Sequence, residues 1–476
     1  MFKQKRSHWW ALAALSPAQI MIFMDQTILP VALPTIQREL HVSSLSLEWS
    51  VNIYLLFTTI FAIAGGKLGD RIGHRFTFQL GLLIFTLSSV LCGVSQNIEM
   101  LISARALQGV GAALMIPALS ALFASVFPSH QRGRGLGLSV SIASFSTILG
   151  PFVGGYLTEA ISWRWIFWIN WPIALIGFCS SLFFLSPSIP KKGKIDFLAL
   201  GYFAIFAASL TIVFMDGRDW SWLSLKTCGI VSLAVISFVF LIKREKKSLH
   251  PFLDLSLFKN SLFSAVNISI FLTNFILMIS IFRAIYYQTV LGYSPYMAGF
   301  ITFISSLPVM FFSSLGGFLS DRFGSRLPVA IGYCLLIFSF VWLGFSPTPS
   351  LSSLFVALFA FSMGAPLIFT PSYSAAMKAL PAHKLGVGFG MIATLRTLAG
   401  TFGIALIGFC MHTVEMYRWR KDSSLPDARY LAEVASFSVI HFVLAGVMII
   451  AFALTFIFYH RKSGHCLPEF PAEGWD

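Results

Sequence analysis

Fourteen apolar runs decide what this chain can fold into. They fall near 11–33, 47–66, 77–95, 99–121, 136–158, 163–185, 197–215, 227–243, 262–285, 297–318, 328–346, 352–374, 386–410 and 436–459. A helix needs about 20 apolar residues to cross a bilayer, and these runs supply that length. Composition agrees: of 476 residues, 57% are hydrophobic and 11% charged, which excludes an ordinary soluble globular class. The chain reads as an all-α polytopic membrane protein with 14 transmembrane helices. The basic opening MFKQKRSH is followed by a long apolar run with no small-residue cleavage site, so it reads as the flank of a first span. Six scattered Cys without a CxxC pair suggest neither a zinc site nor a disulfide framework. No P-loop or other catalytic signature is present, so no enzyme and no cofactor are expected.

Charge orients the spans. The net charge of +14 would suit nucleic acid, but its distribution points to basic loops on one side of a membrane. With the N-terminus inside, 22 of the 33 Lys and Arg fall in the tails and inner loops. Only eight fall in the outer loops, and Arg105, Arg283 and Arg396 lie within spans. This asymmetry places both termini in the cytoplasm. Trp49, Trp163, Trp165, Trp168, Trp171, Trp220, Trp222 and Trp419 fall at outer helix ends, as an aromatic belt would.

An internal repeat divides the chain. GGKLGDRIGHR at 65–75 and GGFLSDRFGSR at 316–326 agree at seven of eleven positions, after spans 2 and 10. If each copy follows the second helix of a half, the halves begin at spans 1 and 9. The expected architecture is two six-helix bundles plus two inserted linker helices: residues 1–190, a linker at 191–258 holding spans 7 and 8, and residues 259–476. Repeated halves with a site between them near mid-membrane are a transporter design.

Six motifs in order now carry a resemblance. They are MDQTILPVALP (24–34), GKLGDRIGHR (66–75), RALQGVGAA (105–113), GPFVGG (150–155), SWRWIFWINWP (162–172) and YYQTVLGYSPYMAG (286–299). With fourteen spans, the chain resembles the major facilitator superfamily, and within it the fourteen-span drug:H+ antiporters of EmrB/QacA type. One departure is Ser146, where the antiporter motif usually has a further Gly.

The candidate site residues follow from charge and depth. Asp25 lies in an apolar span, where a carboxylate costs roughly 3 kcal/mol or more, so it is a functional candidate. At 1.5 Å per residue, Asp25 falls about 4–5 Å outward of mid-span and Arg105 about 7–8 Å. Opposite charges at similar depth predict a pair, with Gln108 one turn from Arg105 on the same face. The pair could couple protons, because a neighbouring cation favours the charged acid while burial disfavours it. It could also be a static packing element. Gly66, Gly69 and Gly73 permit a tight turn and close helix approach. By resemblance, Asp70, Arg71 and Arg75 form a cytoplasmic gate in which Asp70 pairs with an Arg or helix N-terminus on a neighbour. Asp321, Arg322 and Arg326 are the partial copy. Ser146, Gly150 and Gly154 make a small-xxx-small face, with Pro151 freeing a carbonyl and Gly155 completing the motif. Arg396, Asn267 and Asn274 are cavity candidates with Gln108, and Arg283 is near enough to an outer end to snorkel.

The resemblance implies a proton-coupled antiporter exporting small lipophilic or amphipathic compounds from an inner (plasma) membrane. A dedicated metabolite or siderophore exporter, and a transport-inactive sensor or scaffold, remain alternatives. The expected partners are a small-molecule substrate, protons, the lipid bilayer and a periplasmic adaptor, with no nucleic acid. The orientation is testable with alkaline phosphatase fusions. Fusions after residues 194 and 260 are expected to be inactive and one after residue 222 active; the reverse pattern overturns the topology.

Overall fold

The computed structural model describes residues 8–127, 132–186, 196–217, 220, 224–247, 255–380, 385–421, 425 and 427–460. Among these, fourteen helices are long and apolar enough to span a membrane. Spans 1 to 6 are Trp9–Leu40, Ser44–Ile72, His74–Gly93, Ile98–Phe123, Leu138–Ala160 and Trp165–Phe184. Spans 7 and 8 are Phe197–Asp216 and Leu225–Lys247. Spans 9 to 14 are Ser261–Thr289, Pro295–Phe323, Arg326–Phe345, Leu351–Ala379, Gly390–Lys421 and Ala428–Ile457. Helices form because hydrocarbon offers the backbone no hydrogen-bonding partner.

The repeat extends beyond its motif. Spans 2, 3 and 4 come from helices of 29, 20 and 29 residues, and spans 10, 11 and 12 cover 29, 20 and 29 residues, span 10 as two helices. The turn between the second and third helix of each half is built on glycine with positive φ, 99° at Gly73 and 77° at Gly324. That region is costly for any residue with a Cβ. Gly69 lies under the His74 ring, where a Cβ would collide. Gly66 differs from the expectation, because its Cβ position has ordinary room; the close approach to span 4 is made by Gly65, against the Ala113 carbonyl.

Two bundles result. Spans 1 to 6 pack among themselves through 2 on 4, 3 on 4 and 1 on 5, and spans 9 to 14 through 11 on 12, 11 on 14 and 9 on 13 and 14. Spans 7 and 8 pair with each other, and span 7 lies against spans 2 and 13. At their loop end, Arg244 donates to Asp196 at 2.9 Å, and Asp196 caps span 7 by accepting from the Ala199 N–H. Burial pulls the Asp196 carboxyl upward, but the hydrogen bonds from Arg244 and Ala199 outweigh it and hold the pKa below its usual range.

Two spans are interrupted. Span 10 breaks at Leu307, because Pro308 has no N–H to continue the ladder. Span 9 breaks at Met278, where Gly403 of span 13 approaches the Phe275 carbonyl and the Met278 side chain.

The halves meet on the membrane face opposite the GGKLGDRIGHR turn, hereafter the far face. Span 5 packs on span 10 there, with Gly155 against the Pro295 carbonyl and Gly299 against the Pro151 carbonyl. Glu159 accepts from the Tyr296 N–H at 2.8 Å, which caps span 10 from the other half. Gln288 donates to the Val31 carbonyl at 2.8 Å, and Asn52 to the Thr401 carbonyl at 3.1 Å. Near the turn face, Asp70, Arg71, Asp321, Arg322 and Arg326 are exposed.

A Cβ at position 299 would overlap the Pro151 carbonyl. Overpacking of this kind costs about 1–3 kcal/mol. Gly299→Val is therefore expected to lengthen the distance between spin labels placed at Ala160→Cys and Met297→Cys. An unchanged distance would count against close contact as the device that shuts the far face.

Candidate functional site

Span 1 carries three prolines, Pro17, Pro30 and Pro34, within one continuous helix. Between the first two lies Asp25, 2% exposed, and facing it from span 4 is Arg105, 1% exposed. Arg105 Nη1 donates to Asp25 Oδ2 at 2.6 Å. Gln108 sits between them: its Nε2 donates to Asp25 Oδ1 at 2.9 Å, and its Oε1 accepts from Arg105 Nη1 at 2.7 Å. Both carboxylate oxygens are thus occupied, one by a charged donor and one by a neutral donor.

The other spans finish the enclosure. Arg105 Nε donates to the Ser50 carbonyl of span 2 at 3.2 Å, and the guanidinium lies over the Tyr54 ring at 4.3 Å. Gln108 also donates to Ser89 of span 3 at 3.3 Å. Ser89 in turn accepts from Asn170 of span 6 at 2.9 Å and donates to the Phe167 carbonyl at 3.0 Å. Five spans therefore converge on one ion pair. Ser50, Tyr54, Ser89 and Asn170 are members that sequence reasoning missed. Asn170 had a signal, a lone amide inside SWRWIFWINWP; a serine in a span has none.

The arrangement has a chemical property beyond charge pairing. If Asp25 takes up a proton, Arg105 keeps two neutral acceptors, Gln108 Oε1 and the Ser50 carbonyl, and a π face. The cation is not stranded in low dielectric. A pair with no such fallback would make protonation far more costly.

The GPFVGG segment packs directly on this part of span 1. Pro151 cannot donate to the carbonyl of residue 147, and Thr27 Oγ1 takes that acceptor at 2.9 Å. Gly150 lies against Thr27 and the Met24 carbonyl, and Gly154 against the Ile28 carbonyl. Ser146 is buried and donates to its own helix at the Ile142 carbonyl, so it keeps the face narrow without a cross-helix bond. Pro151 and Gly155 face span 10 instead. The motif is thus held between the Asp25 helix and the opposite half. Toward the turn face, Gln19 of span 1 donates to Ser139 of span 5 at 2.8 Å, a link the sequence reading did not include.

The remaining candidates fall out differently. Among the described residues, Asp70 pairs with His74 of its own turn at 3.3 Å rather than with an Arg of a neighbouring helix. Arg75 donates to the Leu182 carbonyl of span 6 at 3.1 Å. Arg322 stacks on Phe323, and Arg326 on Phe456 of span 14. Asn267 donates to its own helix at Phe263, whereas Asn274 donates to the Arg396 carbonyl at 2.7 Å and ties span 9 to span 13. The Arg396 side chain is half-buried and forms no ion pair among the described residues. Arg283 does not snorkel: it is 3% exposed inside the second bundle. Trp163 leaves the aromatic belt, being fully buried with Nε1 donating to Glu39 at 2.6 Å. Of the basic residues counted in the tails and inner loops, Lys3, Lys5, Arg6, Lys191, Lys192, Lys194, Lys384, Arg461 and Lys462 lie outside the described residues, as does Trp222.

Fold and site together define a membrane transporter of two repeated bundles. The Major Facilitator Superfamily model matches residues 15–404, and the chain belongs to that family. It is 31% identical over 407 residues to the multidrug resistance protein Stp of Mycobacterium tuberculosis (strain ATCC 25618 / H37Rv), covering 85% of this chain and 76% of that one. It is 29% identical over 463 residues to the riboflavin transporter RibZ of Clostridioides difficile (strain 630), covering 97% and 99%. The tetracenomycin C resistance and export protein of Streptomyces glaucescens is 29% identical over 413 residues, covering 85% and 76%. Among solved structures, a bacterial Spinster homologue in an inward-facing, unoccupied conformation gives a TM-score of 0.68 at 17% identity, covering 96% of this chain and 97% of that one. A D-xylose-proton symporter gives 0.69 at 15%, covering 96% and 99%. The protein is a multi-pass membrane transporter and not an enzyme.

Removing one charge of the pair strands the other. Arg105→Ala is expected to destabilise the protein by about 3–5 kcal/mol, the typical cost of breaking a buried pair. The double variant Asp25→Asn with Arg105→Gln should recover much of that loss. Thermal unfolding of the purified variants measures both, and equal losses in the single and double variants would exclude a direct charge pair.

Proposed function

We propose that this transporter is a proton-coupled antiporter that exports small amphipathic compounds by alternating access. The observation that carries the reading is the Asp25–Arg105–Gln108 network, because it gives the guanidinium neutral acceptors to keep when the acid is protonated. Asp25 is the proton site, and Arg105 tunes it. A proton there is shielded from both faces in the present conformation, since Asp25 is 2% exposed. Exchange with solvent therefore requires the halves to move.

The link from proton to motion runs through span 5. Protonation weakens the tie between spans 1 and 4, and span 1 is seated on Gly150 and Gly154. The same helix closes the far face through Pro151 and Gly155 against span 10. We assign the turn face to the cytoplasm, on the Lys and Arg asymmetry of the loops. Asp70, Arg71, Arg75, Asp321, Arg322 and Arg326 form the cytoplasmic gate. The halves are residues 1–190 and 259–476, with 191–258 as the insert. Arg396 and Asn274, on facing segments of spans 13 and 9, contribute to the substrate path.

A single-metabolite transporter is the second reading. The relative named as a riboflavin transporter matches across 97% of this chain and 99% of its own length. The two readings share the proton mechanism and differ in substrate range.

In proteoliposomes with an imposed pH gradient, wild-type protein is expected to move a cationic dye against proton flow. Asp25→Asn should abolish coupled flux while the protein remains folded. Coupling retained in Asp25→Asn would remove Asp25 from the mechanism. Co-directional movement of dye and protons would replace antiport by symport.

A further inference from the structure

The second bundle holds a buried cation of its own, and no acid among the described residues pairs with it. Arg283 of span 9 is 3% exposed. Its Nε donates to His441 Nε2 of span 14 at 3.3 Å. His441 Nδ1 lies 2.6 Å from the Phe437 carbonyl, which can only accept, so Nδ1 carries the hydrogen and Nε2 offers its lone pair. The imidazole is therefore a neutral acceptor with both nitrogens committed. The guanidinium lies over Phe361 at 4.5 Å and faces Phe340 at 5.5 Å. Aromatic faces attract a cation but supply no countercharge.

No acid comes near. Spans 9, 11 and 12, which carry Arg283, Phe340 and Phe361, contain no Asp or Glu at all. The nearest acid along span 14 is Glu433, about 12 Å from His441 along the helix axis. Among the described residues, no ion pair is formed by Arg283. The contrast with the first bundle is positional. Counted from the start of the matching 29-residue helices, Leu358 occupies the place of Arg105, and Phe361 that of Gln108.

Two donors at this point are left unused. Arg283 Nη2 and Tyr287 Oη are buried with no hydrogen-bond partner among the described residues, and they lie one helical turn apart on span 9. Phe361 itself is only half-buried. A buried cation, an idle guanidinium nitrogen, an idle phenol and two aromatic faces are complementary to a flat molecule bearing one negative oxygen.

We infer that Arg283 Nη2 and Tyr287 Oη form an anion site in the second bundle that takes the carboxylate, or an equally acidic oxygen, of an aromatic substrate. The site deepens the transport reading by naming a substrate class. Its test is one of binding, so failure of the transport mechanism leaves the result intact.

The full-length protein, purified in chloride-free sulfate buffer, is titrated with sodium benzoate and separately with the isosteric neutral benzamide, and thermal unfolding is followed. Benzoate should raise Tm in a saturable way and benzamide should not. Tyr287→Phe should weaken the apparent benzoate affinity about tenfold, the cost of one hydrogen bond to a charged group, while the unliganded Tm stays at or above wild type. Arg283→Gln should abolish the benzoate response; if that variant fails to fold, Arg283→Lys and Tyr287→Phe carry the test. Equal responses to benzoate and benzamide, or a benzoate response unchanged in Tyr287→Phe, would overturn the site. A Tm rise from millimolar chloride alone that displaces benzoate would overturn the substrate assignment in favour of an inorganic ion.

Discussion

A carboxylate and a guanidinium meet inside hydrocarbon, and much of the first bundle is arranged to make that tolerable. Each charge alone is expensive at this depth. Together they still need their remaining donors and lone pairs satisfied. Span 4 supplies both Arg105 and Gln108, span 2 the Ser50 carbonyl and the Tyr54 face, and span 3 Ser89, which Asn170 of span 6 holds in place. The relative positions of spans 1, 2, 3, 4 and 6 are thus tied to one hydrogen-bonded unit.

Close helix contact connects that unit to the other half. Lipid tails are as apolar as the side chains, so helices in a membrane associate through tight packing and hydrogen bonds more than through exclusion of water. Span 5 uses this on two sides. Gly150 and Gly154 receive span 1, while Pro151 and Gly155 receive span 10. A shift of span 5 is felt at Thr27, two residues from Asp25, and at the far-face contact. Spans 10 to 12 of the second bundle repeat the lengths of spans 2 to 4, but the polar network is not repeated with them. Phe361 stands where Gln108 does and Leu358 where Arg105 does, while the buried cation, Arg283, lies on span 9 without an ion-pair partner among the described residues. Two bundles of one architecture therefore present opposite electrostatic problems.

Much of this was legible in the linear chain. The fourteen spans could be counted because hydrocarbon demands a run of apolar residues, and each run is local. The repeat could be read because both turns need glycine where φ is positive, at Gly73 and Gly324. Asp25 and Arg105 stood out because charge in an apolar run is rare, and a depth estimate from span edges matched them. The carbonyl freed by Pro151 also followed from covalent structure, although the acceptor's use by Thr27 did not. Ser89 carried no signal, since a hydroxyl in a span usually satisfies itself on its own helix.

What the sequence determined by itself was everything set by local hydropathy, by rare charge and by the special backbone of Gly and Pro: the class, the spans, the repeated glycine turn and the presence of an acid within span 1. The tertiary structure alone decided which face of each helix meets which neighbour. That choice sent Arg283 inward rather than to the interface, buried Trp163 against Glu39, turned Asp70 to its own His74, and gave the close contact with span 4 to Gly65 rather than Gly66. The physical reason is that insertion depends on the composition of a segment. A side chain's partner depends instead on the rotation and tilt of two helices far apart in the chain, and no single segment encodes that.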